Sequence, residues 1–305
     1  MATAYTHKDS NIRKTWFLML AFFFVIVGVA WSFSYILESP VILWVAVAFS
    51  VLMNIGAYWF SDKVVLKMSG AQPVSRDSHR ELWNILENLS ITAGLPMPKL
   101  YIINDTAPNA FATGRDPEHA VVAVTSGLLS ILERDELEGV IAHELSHIGN
   151  RDMLLMTVVV VLLGFVTLLS DFFLRMTLFG NHNGDRDGRA QLVLIVAGFA
   201  LALLSPIVAK LIQLAISRKR EFLADASGAL LTRYPDGLAS ALEKISGYNA
   251  PMKRANHATA HLFISNPFGG DKSGKFLNKL FLTHPPVEER VLALRQHTQS
   301  RQELE

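Results

Sequence analysis

The chain has 305 residues and a formal net charge of +1, and half of its residues are hydrophobic. This hydrophobic fraction is too high for an ordinary soluble enzyme and favours membrane segments among soluble stretches. The near-neutral charge and the lack of a basic patch interleaved with aromatic residues give no reason to expect a nucleic-acid partner. Cysteine is absent, which excludes disulfides, thiolate metal sites and cysteine nucleophiles. Any metal must be held by His, Asp or Glu.

Two long apolar runs near the start of the chain predict a transmembrane hairpin. They cover roughly residues 16–37 and 41–60, and a short Glu38-Ser39-Pro40 turn separates them. The first run is too long for the apolar part of a cleaved signal peptide. A buried hairpin in a soluble protein is the alternative, but two successive runs of this length rarely fit inside a small core.

The next stretch alternates short strands with helices. The predicted elements are a helix over 78–93, a strand over 99–103, a β-hairpin formed by 109–113 and 120–125, and a short helix over 126–132. Asp135 is expected to cap the helix that follows. The sheet is therefore predicted to be small and antiparallel.

Two more apolar runs, over about 153–173 and 191–216, predict a second transmembrane hairpin. The alternative is a re-entrant or partly protein-covered hairpin. Beyond it we expect a helix over 234–247, a mobile loop over 249–275 and a final helix over 286–295.

The charges that flank the first hairpin predict its orientation. Lysine and arginine precede the first run and follow the second, whereas the turn between them has no positive charge. Positive residues favour the cytoplasmic side, so we expect the N-terminus and both soluble pieces in the cytoplasm. The predicted division is an N-terminal hairpin (1–60), a first catalytic part (61–152), a second hairpin (153–216) and a second catalytic part (217–305).

A His-Glu-x-x-His pattern at residues 143–147 carries the chemistry. His143 and His147 are four residues apart, so that on an α-helix they lie on one face and can grip one metal ion. Glu144 lies beside the first ligand and can act as general base towards a water molecule that attacks a carbonyl. A chance match with solvated histidines is the alternative, but apolar residues surround the pattern and indicate a buried helix.

A catalytic zinc ion needs a third protein ligand and an open position. Glu221, just past the fourth apolar run, is the best candidate, and Asp225 lies four residues further on. Asp225 can accept a hydrogen bond from the far nitrogen of a ligand histidine. Without the His-Glu-x-x-His pattern, Glu221 would be read as a surface partner of the basic residues beside it.

At this point the sequence resembles a known family, the HtpX membrane zinc metallopeptidases, which are related to the CAAX prenyl endopeptidases. The resemblance rests on four segments in this order: Pro108 to Gly114, the His-Glu-x-x-His stretch, Ser217 to Ala226, and Thr283-His284-Pro285-Pro286 with Arg290. It covers nearly the whole chain. Four spans favour HtpX over the CAAX branch, whose members are expected to have more membrane helices.

The resemblance implies further roles for individual residues. It implies that Asn109, Ala110, Phe111 and Ala112 form an edge strand that pairs with an extended substrate. On its own, Asn109 is equally consistent with a turn. The family also has positions like His284 and Arg290 near its active site, where either could stabilise an oxyanion. His284 alone would more often be a surface histidine before proline.

Together these features predict an α-helical membrane protein with four transmembrane helices and an α+β zincin-like (gluzincin) catalytic domain. The expected cofactor is one Zn²⁺ per chain, and the expected partners are the lipid bilayer and membrane-protein or unfolded protein substrates. The resemblance implies proteolytic quality control at a bacterial inner membrane. The alternatives are a prenyl-protein endopeptidase and a non-enzymatic membrane scaffold with a structural zinc, which usually needs cysteine.

Overall fold

The computed structural model of the protein describes residues 4–36, 38–162, 164, 218–256, 258–269 and 285–302. The helices are α1 (Ala4–Ile36), α2 (Pro40–Ser69), α3 (Arg80–Ala93), α4 (Ser126–Ile131), α5 (Arg134–Gly149), α6 (Asp152–Leu162), α7 (Arg218–Thr232), α8 (Pro235–Ser246) and α9 (Val287–Gln302). The strands are β1 (Gln72–Pro73), β2 (Lys99–Ile103), β3 (Ala110–Thr113) and β4 (Val121–Thr125). The predicted helices and strands of the described soluble parts are confirmed to within two residues at each end, except that α9 extends seven residues beyond its predicted end.

Helices α1 and α2 form the predicted N-terminal hairpin. Both are long and apolar enough to cross a membrane, over Asp9–Tyr35 and Pro40–Ser69. Pro40 begins α2, where its missing N–H costs no hydrogen bond, and Gly70 ends it in the left-handed conformation. Large apolar side chains such as Trp16, Phe24 and Trp44 are exposed on this hairpin, which is the arrangement expected where lipid is the solvent.

The sheet is mixed, so the prediction of an antiparallel sheet is wrong. Its order is β1-β2-β4-β3, and β2 pairs parallel with β4. The chain leaves β2, forms β3 one position further out, and returns through the predicted hairpin to place β4 in the gap. The chain reverses its direction once between β2 and β3 and once more in the hairpin, so β4 runs the same way as β2. Strand β3 is left at one edge of the sheet.

Apolar side chains cover both faces of the sheet, in the alternation that a strand dictates. On one face Phe111 and Ala123 pack with the inner ends of α1 and α2, with α6 and with residues 252–263. On the other face Ala110 and Val122 pack with α3, α5, α8 and α9. The N-terminal hairpin and the helices α3, α5, α8 and α9 are therefore built on opposite faces of the same sheet.

Only the beginning of the third apolar run lies within the described residues. It forms α6, which turns away from α5 at an angle of 84°, and the two together would count as a third, bent span by length and composition. Residues 152–160 are buried throughout. A helix that is buried all round packs against protein, which supports the partly protein-covered alternative for this part. The rest of this run and the whole fourth run lie outside the described residues.

Two local predictions need correction. Helix α5 is capped by Glu133 and not by Asp135, since the Glu133 backbone N–H donates to Glu136 Oε2 at 2.8 Å in a capping-box arrangement. Residues 249–256 and 258–269 form a loop, as predicted, but buried side chains fasten it to the core, and residues 257 and 270–275 of the predicted loop lie outside the described residues. Although most of the segment is polar, several of its apolar side chains are buried, among them Met252 and Phe263.

Asp105 fastens this segment to the sheet. Its carboxylate accepts hydrogen bonds from the backbone N–H groups of Ala107, at 3.0 Å, and Lys253, at 2.7 Å. We expect Asp105→Ala to remove the acceptor of both donors, of which Ala107 N–H is buried, and to destabilise the protein by roughly 2 kcal/mol. Limited proteolysis of purified protein should then show faster cleavage within 249–269. The exposed Asp77→Ala is the control, and equal protection in the two variants would contradict this role.

Candidate metal centre

Two helices supply the candidate metal ligands. Helix α5 carries His143 and His147 one turn apart, and the first turn of α7 carries Glu221. All three side chains are buried, and one potential ligand atom from each lies within 4.8 Å of the others. The structure therefore brings together the three residues that were predicted as ligands from two distant parts of the chain.

The donor atoms face one another. His143 Nε2 and His147 Nε2 are 3.2 Å apart. The Glu221 carboxylate oxygens lie 3.9 Å from His143 Nε2 and 3.8 Å from His147 Nε2. Two ligands of a tetrahedral metal ion with bonds of about 2.0–2.1 Å are separated by about 3.3 Å. Two imidazoles and one carboxylate at these separations fit a divalent metal ion.

A close approach of helix backbones makes this convergence possible. Gly228, two turns after Glu221 on α7, lies against the backbone of α5 at Ala142 and His143. A Cβ atom at this position would be 3.0 Å from His143 N. Glycine is therefore needed for α7 to lie so close to the metal-binding face of α5.

Asp225 and Arg290 form a chain of charged contacts on the side of His143 that faces away from the other candidate ligands. Its Nδ1 lies 2.9 Å from Asp225 Oδ1. Arg290 donates to the same carboxylate through Nε at 2.8 Å and Nη2 at 2.7 Å, in a fully buried bidentate pair. Burial alone would raise the pKa of Asp225, but Arg290 and His143 outweigh it and lower the pKa to about 2. The carboxylate stays ionised and fixes the ring so that Nε2 points to the centre.

His147 has an equivalent partner, Asp152, which the sequence analysis missed. His147 Nδ1 lies 3.2 Å from Asp152 Oδ2. Asp152 is fully buried at the start of α6, where it also faces Arg220 and accepts a hydrogen bond from Asn11 of α1. One signal was available: an ionisable residue directly before a long apolar run, five positions after a ligand histidine.

The protein environment shifts the pKa values of the two candidate ligand histidines in opposite directions. Burial lowers the pKa of His143 to about 4. Burial also acts to lower the pKa of His147, but the bond to Asp152 and the charge of Glu221 outweigh it and raise this pKa to about 9.

Glu144 lies next to the ligands and close to strand β3. Burial raises the pKa of its carboxyl group to about 7, although the charge of His147 and a hydrogen bond from the Ala112 backbone act in the opposite direction. A carboxyl group poised near neutral pH can accept and return protons, as a general base requires. Its contact with Ala112 also fixes the position of β3 relative to the metal ligands.

The remaining predicted site residues have different surroundings. Asn109 is buried, and its side-chain amide exchanges hydrogen bonds with the backbone of Ser265, at 2.9 and 3.1 Å. Ala110, Phe111 and Ala112 lie on β3, where Ala110 O accepts a hydrogen bond from Ile264 N at 3.0 Å. His284 lies outside the described residues.

Comparison with known proteins agrees with this geometry. Residues 76–298 match the family model described as Peptidase family M48. Proteins named Protease HtpX homolog are similar over most of the chain. The one from Caldanaerobacter subterraneus is 46% identical over 97% of this chain and 98% of its own. The one from Pyrococcus furiosus is 48% identical over 91% of this chain and 93% of its own.

A solved structure shares the fold. The structure of S. mikatae Ste24p superposes with a TM-score of 0.50 at 20% sequence identity, covering 95% of this chain and 67% of that one. Two apolar helices, a buried metal-binding cluster and these relatives define a membrane metalloprotease. The chain belongs to peptidase family M48, and its relatives place it among the HtpX proteases.

The close packing at Gly228 can be tested directly. Gly228→Ala places a methyl group against the His143 backbone, so that α7 must shift and carry Glu221 away from the histidines. We expect at least a tenfold loss of metal affinity, measured by competition with a chelating dye, because ligand position controls affinity. Gly247→Ala is the control, since its nearest non-neighbouring atom lies at 3.5 Å, an ordinary contact. Equal affinity in both variants would contradict the packing argument.

Proposed function

We propose that the chain is a zinc-dependent endopeptidase in which His143, His147 and Glu221 hold the metal ion. The observation that carries this proposal is the convergence of these three buried ligand atoms within 4.8 Å beside Glu144. A His₂Glu donor set without sulfur is typical of catalytic zinc in peptidases, which leaves one position open. The bound zinc would supply Lewis acidity towards a peptide carbonyl and lower the pKa of a water molecule.

Glu144 is the proposed general base. It accepts the proton of the water molecule that attacks the scissile carbonyl and then returns a proton to the departing amine. Its raised pKa suits both transfers, and the hydrogen bond from Ala112 keeps the carboxylate between the metal ligands and strand β3.

Strand β3 is the proposed binding edge for an extended substrate. It lies at the end of the sheet, and its Ala112 backbone already faces Glu144. Ala110 O is already bonded to Ile264 N, so the proposed pairing uses the Ala112 end of the strand, where it would place a peptide bond near the metal without reading its side chains. Asn109 is proposed to hold this edge in position, because its side chain bonds the start of β3 to the backbone of Ser265.

The described contacts favour a positioning role for Arg290 over stabilisation of an oxyanion. Its guanidinium is directed at Asp225, with a weaker contact to Ile264 O at 3.4 Å. The pair acts on the metal through Asp225 and His143. His284 then remains the candidate for direct stabilisation of the oxyanion.

The proposed substrates are misfolded or unassembled membrane proteins, and the proposed role is proteolytic quality control. Backbone recognition suits unfolded segments, and the hairpin of α1 and α2 keeps the enzyme at the bilayer. We place the protein in a bacterial inner membrane with the N-terminus and the catalytic parts, 61–152 and 217–305, in the cytoplasm. The segments 1–60 and 153–216 serve as membrane hairpins in this arrangement. A prenyl-processing enzyme or a scaffold with structural zinc is not favoured, because the relatives are HtpX proteases.

The role of Glu144 is separable from metal binding. We expect Glu144→Gln to keep one zinc ion per chain and to lower kcat/KM for an unfolded protein substrate by about 10²–10⁴-fold, because general base catalysis is lost. Metal content and cleavage rate are measured on the same purified protein. Glu138→Gln, at a half-buried position of the same helix where the side chain pairs with Arg134, should leave both unchanged. Retained cleavage in Glu144→Gln would exclude the proposed mechanism.

The pH dependence of cleavage follows from the pKa of Glu144. The carboxyl group must be deprotonated to accept a proton, so kcat/KM should rise with pH and level off. The positive charge of a bound metal favours the carboxylate, so the midpoint of this acidic limb should lie at or below about 7. A pH profile of kcat/KM for the zinc-loaded enzyme measures it. A midpoint well above 7 would contradict this assignment.

A further inference from the structure

The first membrane helix contacts the residue that lies behind one of the candidate metal ligands. Asn11, near the start of α1, is buried, and its side-chain amide donates hydrogen bonds to Asp152 Oδ1 and, at 3.2 Å, to Asn150 O. Asp152 Oδ2 in turn lies 3.2 Å from His147 Nδ1. A chain of direct contacts therefore leads from a membrane helix to a candidate metal ligand.

The turn that receives these bonds needs external support. It joins α5 to α6 at an angle of 84°, and Arg151 at its centre has a φ of 57°, in the left-handed region that residues other than glycine rarely adopt. Asn11 holds the residues on both sides of Arg151. The same turn places the Asp152 carboxylate behind His147, so its conformation decides where the ring points.

Burying the side-chain amide of Asn11 costs free energy of desolvation, which its hydrogen bonds must offset. A buried polar side chain in an apolar helix is unfavourable unless its hydrogen bonds are satisfied. Both acceptors of the Asn11 amide are found in the turn that follows the metal-binding helix. Arg220, the neighbour of Glu221, faces Asp152 with Nη1 at 3.7 Å from Oδ1. Asp152 is thus the point where α1, α5 and α7 meet.

We propose that Asn11 and Asp152 are positioning residues of the metal centre, and that the first membrane helix thereby controls how tightly His147 holds the metal. Asp152 fixes the ring so that Nε2 faces the other ligands, and Asn11 fixes Asp152. The inference rests on the proposed function, because it requires His147 to be a ligand. It predicts that metal affinity depends on a residue of α1 that lies 136 positions before the histidine.

The experiment uses the full chain in detergent, stripped of metal and titrated with Zn²⁺ in competition with a chelating dye. Asp152→Asn should weaken zinc binding by about 10–100-fold, and Asn11→Ala by about tenfold, as for other partners of ligand histidines. The visible spectrum of the Co²⁺-substituted protein should change in both variants, because the orientation of His147 alters the ligand field. Asn54→Ala, which removes an amide of α2 that bonds only locally to Ser50 O, should leave affinity and spectrum unchanged.

A double variant separates positioning from general loss of structure. If Asn11 acts through Asp152, Asn11→Ala combined with Asp152→Asn should bind zinc no more weakly than Asp152→Asn alone. Additive losses, or wild-type affinity and spectrum in Asn11→Ala, would overturn the inference. If Asn11→Ala does not accumulate as folded protein, Asn11→Ser, which keeps a donor on a shorter side chain, is judged by the same criteria.

His147→Ala distinguishes failure of this inference from failure of the proposed function. If that variant binds zinc as tightly as the wild type, His147 is not a ligand and the proposed function itself is wrong. If His147→Ala loses zinc while Asn11→Ala does not, only the role of the first membrane helix is refuted.

Discussion

The direct contact between α5 and α7 is the constraint on which the metal centre depends. Because Gly228 has no side chain, the two helix backbones approach until a Cβ there would be 3.0 Å from His143 N. That approach brings Glu221, which is 74 positions after His147 in the sequence, to the two histidines. It also buries the cluster, and burial is the main cause of the shifted pKa values of His143 and Glu144. Geometry and electrostatics of the site therefore have one common origin.

Burial would be unfavourable for so many ionisable groups if they were not paired. The structure answers this with one carboxylate behind each histidine: Asp225 behind His143 and Asp152 behind His147. Arg290 neutralises the first carboxylate through a bidentate pair. The two carboxylates come from different helices, since Asp225 lies on α7 and Asp152 lies at the start of α6. Each ligand is thus oriented by a different region of the fold.

Local patterns predicted which three side chains converge at the candidate metal centre, whereas long-range arrangements escaped them. The spacing of His143 and His147 is a helical period, and the strands were visible from alternation and turn residues. The order of the strands could not be predicted in this way, because the insertion of β4 between β2 and β3 depends on pairing between strands. Asp152 was missed because its partner is set by the bend after α5. Residues 249–256 and 258–269 were predicted to be mobile from their composition, yet a few buried apolar side chains such as Phe263 pack them against the core.

The apolar cluster beneath the sheet contains Leu18 and Phe22 of α1 together with Phe111 of β3. The edge strand therefore packs against a helix that is long and apolar enough to cross a membrane, and this packing would set its height above a bilayer. A substrate segment paired with this strand would be cut at a set distance from the point where it leaves the membrane. Selection by distance requires no recognition of sequence, and it would spare loops too short to reach the strand.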